Sequence, residues 1–238
     1  EWSDAWAEYD KNGNTLVPLR RDGKSGVINV KGEVIVPLVY DSWYEIHWSY
    51  GWDSYKNDVI VGKDGKYGII SKQNDILLPL EYSGIKSRSY APYPYLIAAK
   101  DGLWGVIDCR GNVRVPFKYE DINLSDNFSD DGLYAYKENA FWGVKSTSGK
   151  ELLPCEYDII HPFVIEYFVE TGYWYVSKDE KDGVLDADGN IVIPFEYHRI
   201  SPAYSGYDLF VVENRFGLYG VINDKNEIIL PMEWNNIY

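Results

Sequence analysis

The sequence is dominated by one stretch that recurs along its whole length and is best preserved from Leu103 to Ile122, which reads LWGVIDCRGNVRVPFKYEDI. Each copy folds into one supersecondary unit that packs on its neighbours, so internal repeats of this kind define the architecture before any single residue is interpreted. The glycine slot holds Ala7, Gly26, Gly68, Gly105, Gly143, Gly183 and Gly220, and eleven residues later the proline slot holds Pro18, Pro37, Pro79, Pro116, Pro154, Pro194 and Pro231. Because these seven copies keep the spacing without an insertion, the backbone between the slots is locked in register, as a hairpin is by its turn.

A tight turn is predicted between the two slots. Six residues after the glycine slot every copy has Gly or Asn, the residue types that tolerate a positive φ. Three residues before that position every copy has Asp, Asn or Ser, whose short polar side chain caps the start of a type I turn. The left-handed slot holds Gly13, Gly32, Asn74, Gly111, Gly149, Gly189 and Asn226, and the cap slot holds Asp10, Asn29, Ser71, Asp108, Ser146, Asp186 and Asn223. The pattern predicts a hairpin with a type I turn closed by a left-handed residue.

A third strand is predicted upstream of the hairpin. Apolar runs such as Leu96 to Lys100 end at a turn such as Lys100-Asp101-Gly102, which leads into the next Trp-Gly position. The proline after the hairpin cannot donate to a strand ladder, so the last strand should leave the sheet or run along an edge. The last five intervals between glycine slots are 42, 37, 38, 40 and 37 residues, whereas the first is 19. The copy at Ala7 is therefore predicted to be a short, cap-like unit.

These features predict an all-β fold, organised as a single domain over residues 1–238 with about seven tandem β-hairpin or three-stranded units. A period near 40 residues also describes propeller blades, so a closed propeller-like toroid is the alternative. We favour an open, solenoid-like array, because the short first interval would disturb the equal spacing of a closed ring.

An aromatic residue follows the proline slot three positions later. Tyrosine can bury its ring between repeats and hydrogen-bond through its hydroxyl, and a ligand-binding residue need not recur in every copy. These rings are therefore predicted to be structural. The slot holds Tyr40, Tyr82, Tyr119, Tyr157, Tyr197 and Trp234, with Arg21 as the departure.

The LWGV and FWGV runs at 103–106 and 141–144, the D-x-x-G turn and the P-x-x-Y tail resemble the WG-repeat family of bacterial β-repeat proteins. The resemblance extends from Trp6 to Ile237. It implies a repeat scaffold, found alone or beside other domains, and it carries no catalytic residues to transfer. Fold alone does not give function in such a case.

The charge balance restricts the partners. A formal net charge of −14 repels polyanions, because a nucleic-acid binder needs basic side chains to displace counterions from phosphate. A basic protein or a neutral glycan fits this field better. No run of 18 or more apolar residues is present to span a membrane. The chain opens at Glu1 rather than at a methionine, which is consistent with removal of a leader, so cytoplasmic and exported locations both stay open.

Candidate binding residues lie where the copies differ. The longest linker, residues 41–57, is rich in Trp and Tyr, the residue types that dominate binding hot spots. The segment 89–95 carries further aromatic residues and is predicted to be extended. The alternative is that these rings pack as a lid over the array. The candidates are Trp43, Tyr44, Trp48, Tyr50, Trp52, Tyr55, Tyr93 and Tyr95.

No constellation for catalysis or for a metal is evident. His47, His161 and His198 lie in different linkers without the spacing of a zinc site. The acidic linker Asp126 to Asp131 lacks the spaced ligands and the distal Glu of a calcium loop. Nucleotide-binding and nucleophile motifs are also absent from the sequence. We therefore expect no cofactor and no enzymatic activity.

Three functions are compatible with this reading. The first is a binding module that presents its variable, aromatic-rich linkers to a protein or a glycan. The second is an acidic inhibitor or immunity-type protein that sequesters a basic partner, whose binding should weaken steeply with salt. The third is a structural spacer of a larger surface protein.

Overall fold

The computed structural model describes residues 8–9, 15–45, 59–71, 74–86, 95–124, 132–160, 172–203 and 209–237. Within these ranges the regular secondary structure is all β, without a helix. The strands form six antiparallel four-stranded sheets, and within each sheet neighbouring strands are consecutive in the chain. We number them sheets 1 to 6. The chain divides into two compact units, Glu1–Tyr119 with sheets 1 to 3 and Glu120–Tyr238 with sheets 4 to 6. The all-β tandem fold is confirmed, whereas the single domain and the choice between an open array and a ring stay predictions.

Strands of the first unit form three sheets. Sheet 1 contains β1 (Glu8–Tyr9), β2 (Thr15–Arg21), β3 (Lys24–Asn29) and β4 (Val34–Tyr40). Sheet 2 contains β5 (Ser42–Glu45), β6 (Val59–Lys63), β7 (Lys66–Ile70) and β8 (Ile76–Tyr82). Sheet 3 contains β9 (Gly84–Ile85), β10 (Tyr95–Lys100), β11 (Leu103–Asp108) and β12 (Val113–Tyr119).

Strands of the second unit repeat the arrangement. Sheet 4 contains β13 (Asp121–Leu124), β14 (Leu133–Glu138), β15 (Phe141–Ser146) and β16 (Glu151–Tyr157). Sheet 5 contains β17 (Ile159–Ile160), β18 (Trp174–Lys178), β19 (Lys181–Leu185) and β20 (Ile191–Tyr197). Sheet 6 contains β21 (Arg199–Pro202), β22 (Leu209–Glu213), β23 (Tyr219–Asn223) and β24 (Ile228–Trp234).

Each sheet has four strands, one more than the three predicted. In sheets 2 to 6 the additional strand is the short segment directly after the P-x-x-Y tail, in a stretch that the sequence indicates to be a linker. In β5, for example, Ser42 pairs with Gly62 and Glu45 pairs with Val59. The neighbouring strand thus supplies the hydrogen bonds that the backbone of this segment needs. In sheet 1 the first two strands belong to the copy at Ala7. At the N-terminal end, Pro18 lies in the second strand of sheet 1 rather than in a separate short unit.

The predicted turn is confirmed wherever it is described. In β11–β12, Gly111 N donates to Asp108 O over 2.9 Å, and Asp108 Oδ1 accepts from the backbone N–H groups of Arg110 and Asn112. Burial alone would raise the pKa of Asp108, but hydrogen bonds from Asn112, Arg110 and Arg114 outweigh it and hold the pKa below its ordinary value. The left-handed residues Gly32, Asn74, Gly111, Gly149, Gly189 and Asn226 all have positive φ.

The glycine slot is explained by a bulge in the edge strand. Trp104 pairs with Tyr119 while Val106 pairs with Val115, so β12 has a bulge around Pro116, opposite Gly105. A Cβ on Gly105 would lie 2.6 Å from the carbonyl oxygen of Val115. The fourth strand of each sheet is an edge strand and holds the proline, which confirms the prediction for six of the seven prolines. Pro18 is the exception, because it lies in β2, between β1 and β3. A Cβ would also lie closer than 3.0 Å to another atom at Gly26, Gly68, Gly143, Gly183 and Gly220.

The core of each unit lies between consecutive sheets. In the first unit, Leu78 and Tyr82 of sheet 2 pack with Leu96 and Ile107 of sheet 3. The aromatic slot is at most 8% exposed at Tyr82, Tyr119, Tyr157 and Tyr197, half-buried at Tyr40 and 51% exposed at Trp234. A structural role is therefore confirmed for the four buried tyrosines.

Candidate binding groove

A lysine of sheet 3 occupies a defined polar site against sheet 2. Lys100, at the end of β10, donates to Glu81 Oε1 over 2.7 Å, and its Nζ lies 5.0 Å from the ring centroid of Tyr82 and 5.5 Å from that of Phe117. The hydrogen bond to Glu81 raises the pKa of Lys100. We call this arrangement of a Lys at the end of a second strand, with the Glu and Tyr that end the preceding sheet, a lysine site.

The second unit contains a lysine site at the equivalent place. Lys178 of sheet 5 lies 3.1 Å from Glu156 Oε1 of sheet 4 and 6.0 Å from the ring centroid of Tyr157. Phe195 stacks on Tyr157 with a centroid distance of 6.3 Å, in the slot that Phe117 fills in sheet 3. Carboxylate, ring face and ammonium therefore recur together in both units.

The contact between sheets 5 and 6 has the same carboxylate and ring, from sheet 5, but a different residue after the second strand of sheet 6. Glu196 and Tyr197 end β20, and the residue that follows β22 is Asn214 instead of Lys. The Tyr197 hydroxyl donates to Asn226 Oδ1 over 2.7 Å, and Asn226 Nδ2 donates to Glu196 over 2.8 Å. Burial raises the pKa of Tyr197, so this hydroxyl stays a neutral donor.

A cavity of about 580 Å³ opens at this place. Its apolar lining comes from the Tyr197 ring, from Phe216 and from Met232, which stands in the slot of Phe117 and Phe195. Its polar lining combines three carboxylates and three cationic or titratable groups, together with the amide of Asn214. These are Asp179, Glu180, Glu196, Lys181, His198 and Arg215. We call this cavity the sheet 6 groove.

The loop that borders the groove departs from the repeat. Sheet 3 joins its second and third strands by a two-residue turn, with φ of 52° at Asp101 and 84° at Gly102, the geometry of a type I′ turn. Sheet 6 uses a loop one residue longer, in which Gly217 N donates to Asn214 O and Asn214 Oδ1 accepts from Phe216 N. Phe216 is left 73% exposed, with the Arg215 guanidinium 4.7 Å from its ring centroid.

The residue after the aromatic slot changes together with this loop. In four other sheets a side-chain oxygen at that slot accepts a backbone N–H of the two-residue turn, at Asp41, Ser83, Glu120 and Asp158. Sheet 6 has His198 there, exposed and lining the groove. The shorter turn and its acceptor are thus both absent from this sheet, and the space they occupy elsewhere is open here.

Of the candidates from the sequence, the three that fall in the described ranges do not line this groove. Trp43 is half-buried in β5, where it packs against the core of sheets 1 and 2, and Tyr95 is 7% exposed in β10. Tyr44 lies in β5, and its side chain lies outside the described part of the structure. Trp48, Tyr50, Trp52, Tyr55, Tyr93 and the linker Asp126 to Asp131 lie outside the described residues.

The sheet 6 groove was missed at the sequence level, although one signal was available. Lys100 and Lys178 each stand five residues before a glycine slot, whereas Asn214 stands six residues before Gly220. That single insertion marks the longer loop. Its meaning depends on knowing that Glu196 of the preceding sheet faces the slot, which the spacing alone does not reveal.

The described residues also bear on metal and membrane binding. In the ranges that the structure covers, no group of three or more His, Cys, Asp or Glu is arranged to hold a metal ion. No helix in those ranges has the length and apolar character needed to cross a membrane.

The sheets, turns and crowded glycines define an all-β tandem-repeat protein. The model of the WG containing repeat matches residues 26–47, 104–140, 142–181, 183–215 and 219–238, which is more than half of the chain. The chain therefore belongs to the WG containing repeat family, as the resemblance predicted.

Comparisons beyond the family give only distant similarities. The search of curated proteins found no match. Among solved structures, Hsv2p of Kluyveromyces lactis is 10% identical with a TM-score of 0.42, over 97% of this chain and 78% of that chain. The computationally designed Ika8 protein is 13% identical with a TM-score of 0.41, over 93% and 71% of the two chains. Similarities of this size carry no inference about function.

Proposed function

We propose that this chain is a non-enzymatic binding module that uses its sheets as a scaffold and contacts a protein or a glycan through the positions at which the sheets differ. The observation that supports the proposal is the exposed Phe216, which projects from the longer loop of sheet 6 beside an open groove. Exposed aromatic side chains at a concave site are typical anchors of binding surfaces. The turn, glycine and tyrosine slots have structural explanations in several sheets and need no ligand.

The aromatic linker 41–57 is the second part of the proposed surface. Its strand β5 is held in sheet 2, so the residues that follow Glu45 leave from a fixed point on the scaffold. Binding residues are commonly presented by loops that a rigid scaffold positions. Trp48 and Trp52 are the residues of this linker that we would test first.

The test compares ligand capture by the full chain and by its variants. The immobilised protein is exposed to a lysate of the source organism and to a glycan panel, and bound molecules are identified and their affinities measured. We expect Phe216→Ala, or the pair Trp48→Ala and Trp52→Ala, to weaken binding on the order of tenfold or more. Phe141→Ala is the matched control, because Phe141 is another exposed phenylalanine of a hairpin, at 42%. Equal binding by all variants would remove both surfaces from the proposal.

An acidic inhibitor of a basic partner is a second candidate, favoured by the net charge of −14. Electrostatic attraction over a whole surface is screened by salt. Affinity for the captured protein should then fall steeply as ionic strength rises from low to physiological. An affinity independent of salt would exclude this candidate while leaving the binding module intact.

A further inference from the structure

We propose that the sheet 6 groove binds the side-chain ammonium of a lysine from a partner protein. This inference rests on the proposed binding function and names the chemistry of its partner. The groove has the carboxylate and the aromatic ring of a lysine site, but Asn214 stands where the other sites have their own lysine.

The filled sites show what the groove can hold. In both, a primary ammonium lies within about 3 Å of a glutamate oxygen, at 2.7 Å for Lys100 and 3.1 Å for Lys178. In both, it also lies 5.0 to 6.0 Å from the centroid of the slot tyrosine, within the range of a cation–π contact. The chain itself therefore demonstrates the chemistry in two independent copies.

The groove leaves its carboxylate without that cation. Glu196 accepts a hydrogen bond from the neutral Asn226 amide, and within the described ranges it forms no ion pair. A carboxylate that accepts a hydrogen bond only from neutral groups keeps its remaining acceptor sites for a cation. Asp179 and Glu180 of the neighbouring turn add two further negative charges to the lining.

The cationic groups of the lining do not substitute for the missing lysine. The Arg215 guanidinium lies over the Phe216 ring at 4.7 Å, at the tip of the loop. Lys181 begins the third strand of sheet 5 rather than ending the second strand of sheet 6. Its equivalent in sheet 2 is Lys66, which is present together with Lys100 where the lysine site is complete. His198 stands in the slot of the turn acceptors, one residue beyond Tyr197.

Shape and charge both favour a lysine of another protein as the occupant. A lysine stem of four methylene groups covers apolar surface while its ammonium reaches a polar site, and Phe216 and Met232 provide that apolar surface at the groove. A net charge of −14 draws basic partners to the molecule.

The only methionine of the sequence makes a direct test possible. Met232 lines the groove, so a ¹³C-methyl methionine label gives a single protein NMR signal from this site. The probe is Nα-acetyl-lysine methylamide, titrated into the full chain in the millimolar range, as expected for one exposed ion pair. We expect the Met232 methyl signal to shift and saturate with this probe, and not to shift with its Nε-acetylated form, which lacks the charge.

Two variants distinguish binding in the groove from attraction of the probe by the overall negative charge of the protein. Asn214→Lys supplies the chain's own ammonium, as in sheets 3 and 5, and should abolish the response to the probe while the fold is retained. Ile228→Lys adds the same charge at a residue of sheet 6 that is 62% exposed and does not line the groove, and should leave the response intact. Equal responses to the two probes, or a response of Asn214→Lys equal to that of the original chain, would overturn the inference.

The outcome is separable from that of the proposed function. If a captured partner is lost in the Phe216 variant or in the Trp48 and Trp52 variant while the lysine probe does not shift the Met232 methyl signal, the binding function stands and the lysine site is wrong. If the methyl signal follows the lysine probe while no ligand is captured, the ammonium site stands and the proposed function fails.

Discussion

The contact between sheets 2 and 3 and the contact between sheets 5 and 6 use the same slots with different occupants. In the first, Lys100 bridges Glu81 and Tyr82, and a short turn is held by Ser83. In the second, Asn214 follows the strand, the loop is one residue longer and the acceptor slot holds His198. The comparison shows that a lysine of the chain occupies the polar site between sheets 2 and 3, whereas Asn214 stands at the equivalent position between sheets 5 and 6. A difference between sheets is therefore more informative about binding than the repeated motif is.

The largest effect on stability is expected from a substitution at the glycine slot, which both pairs of sheets share. Gly105→Ala places a Cβ 2.6 Å from the Val115 carbonyl oxygen, and relieving such overlap should destabilise the protein by about 3 kcal/mol. Gly102→Ala is the control, because its φ is +84° but no atom lies within 4 Å of its Cβ position. Its cost should be only about 1 kcal/mol. Equal costs in urea unfolding would contradict the bulge as the reason for the glycine.

The next effect concerns the carboxylate that joins sheets 5 and 6. Asp182 directly precedes Gly183, where sheet 3 has Trp104 before Gly105. It is buried and accepts hydrogen bonds from the backbone N–H of Ile200, over 3.0 Å, and from the Ser177 hydroxyl. Asp182→Ala leaves both donors without this acceptor and should cost about 2 kcal/mol. The amide of Ile200 should exchange faster with solvent. The exposed Asp188→Ala of the same hairpin should change neither quantity, and a similar loss there would assign the effect to net charge.

A smaller effect of opposite sign is expected at the turn that faces the groove. Glu180 has a φ of 60°, where the corresponding position of sheet 3 is Gly102. Glu180→Gly removes the strain of a left-handed side chain, partly offset by the greater freedom of glycine in the unfolded chain, and should stabilise the protein by about 1 kcal/mol. Ser148→Gly, at a turn position without a positive φ, should destabilise it instead. Thermal unfolding of both variants measures the difference.

The smallest effect comes from making sheet 3 resemble sheet 6. Lys100→Asn removes a half-exposed ion pair and a cation–π contact, which should cost less than about 1 kcal/mol. Because the pKa of Lys100 is raised in the folded protein, its contribution is fully present below the unfolded pKa and is lost as pH rises through the folded pKa. The stabilities of variant and original chain should therefore converge only at strongly alkaline pH. Convergence near neutral pH would show that another group is responsible.

The regular part of the fold was predictable because its causes are local. A residue with positive φ at Gly111, a capping side chain at Asp108 and a proline at Pro116 each act within one hairpin, and the same types recur at one spacing. The fourth strand was not predictable in this way. The segment Ser42–Glu45 looks like the start of a loop, and only its pairing with β6 makes it a strand.

The candidate site was predictable only in outline. The expectation that function lies where the copies differ led to the aromatic linkers, and it also applies to the loop around Phe216. The groove itself depends on which residues of consecutive sheets face each other, because Glu196 and Asn214 are far apart in the chain and belong to different sheets. Tyr95 shows the reverse case, since its aromatic segment suggested a surface and its ring is buried in β10.

Turn type, strand period, repeat spacing and family membership could all be read from the order of the residues, because backbone sterics and hydrogen bonds to the nearest neighbours decide them. The crowding at Gly105, the burial of Tyr82 and the groove at Glu196 required the packed sheets. Each depends on atoms that another strand or another sheet brings within a few ångströms. The stacking of consecutive sheets therefore decides where the chain places its own lysine beside a glutamate and an aromatic ring and where it places a groove.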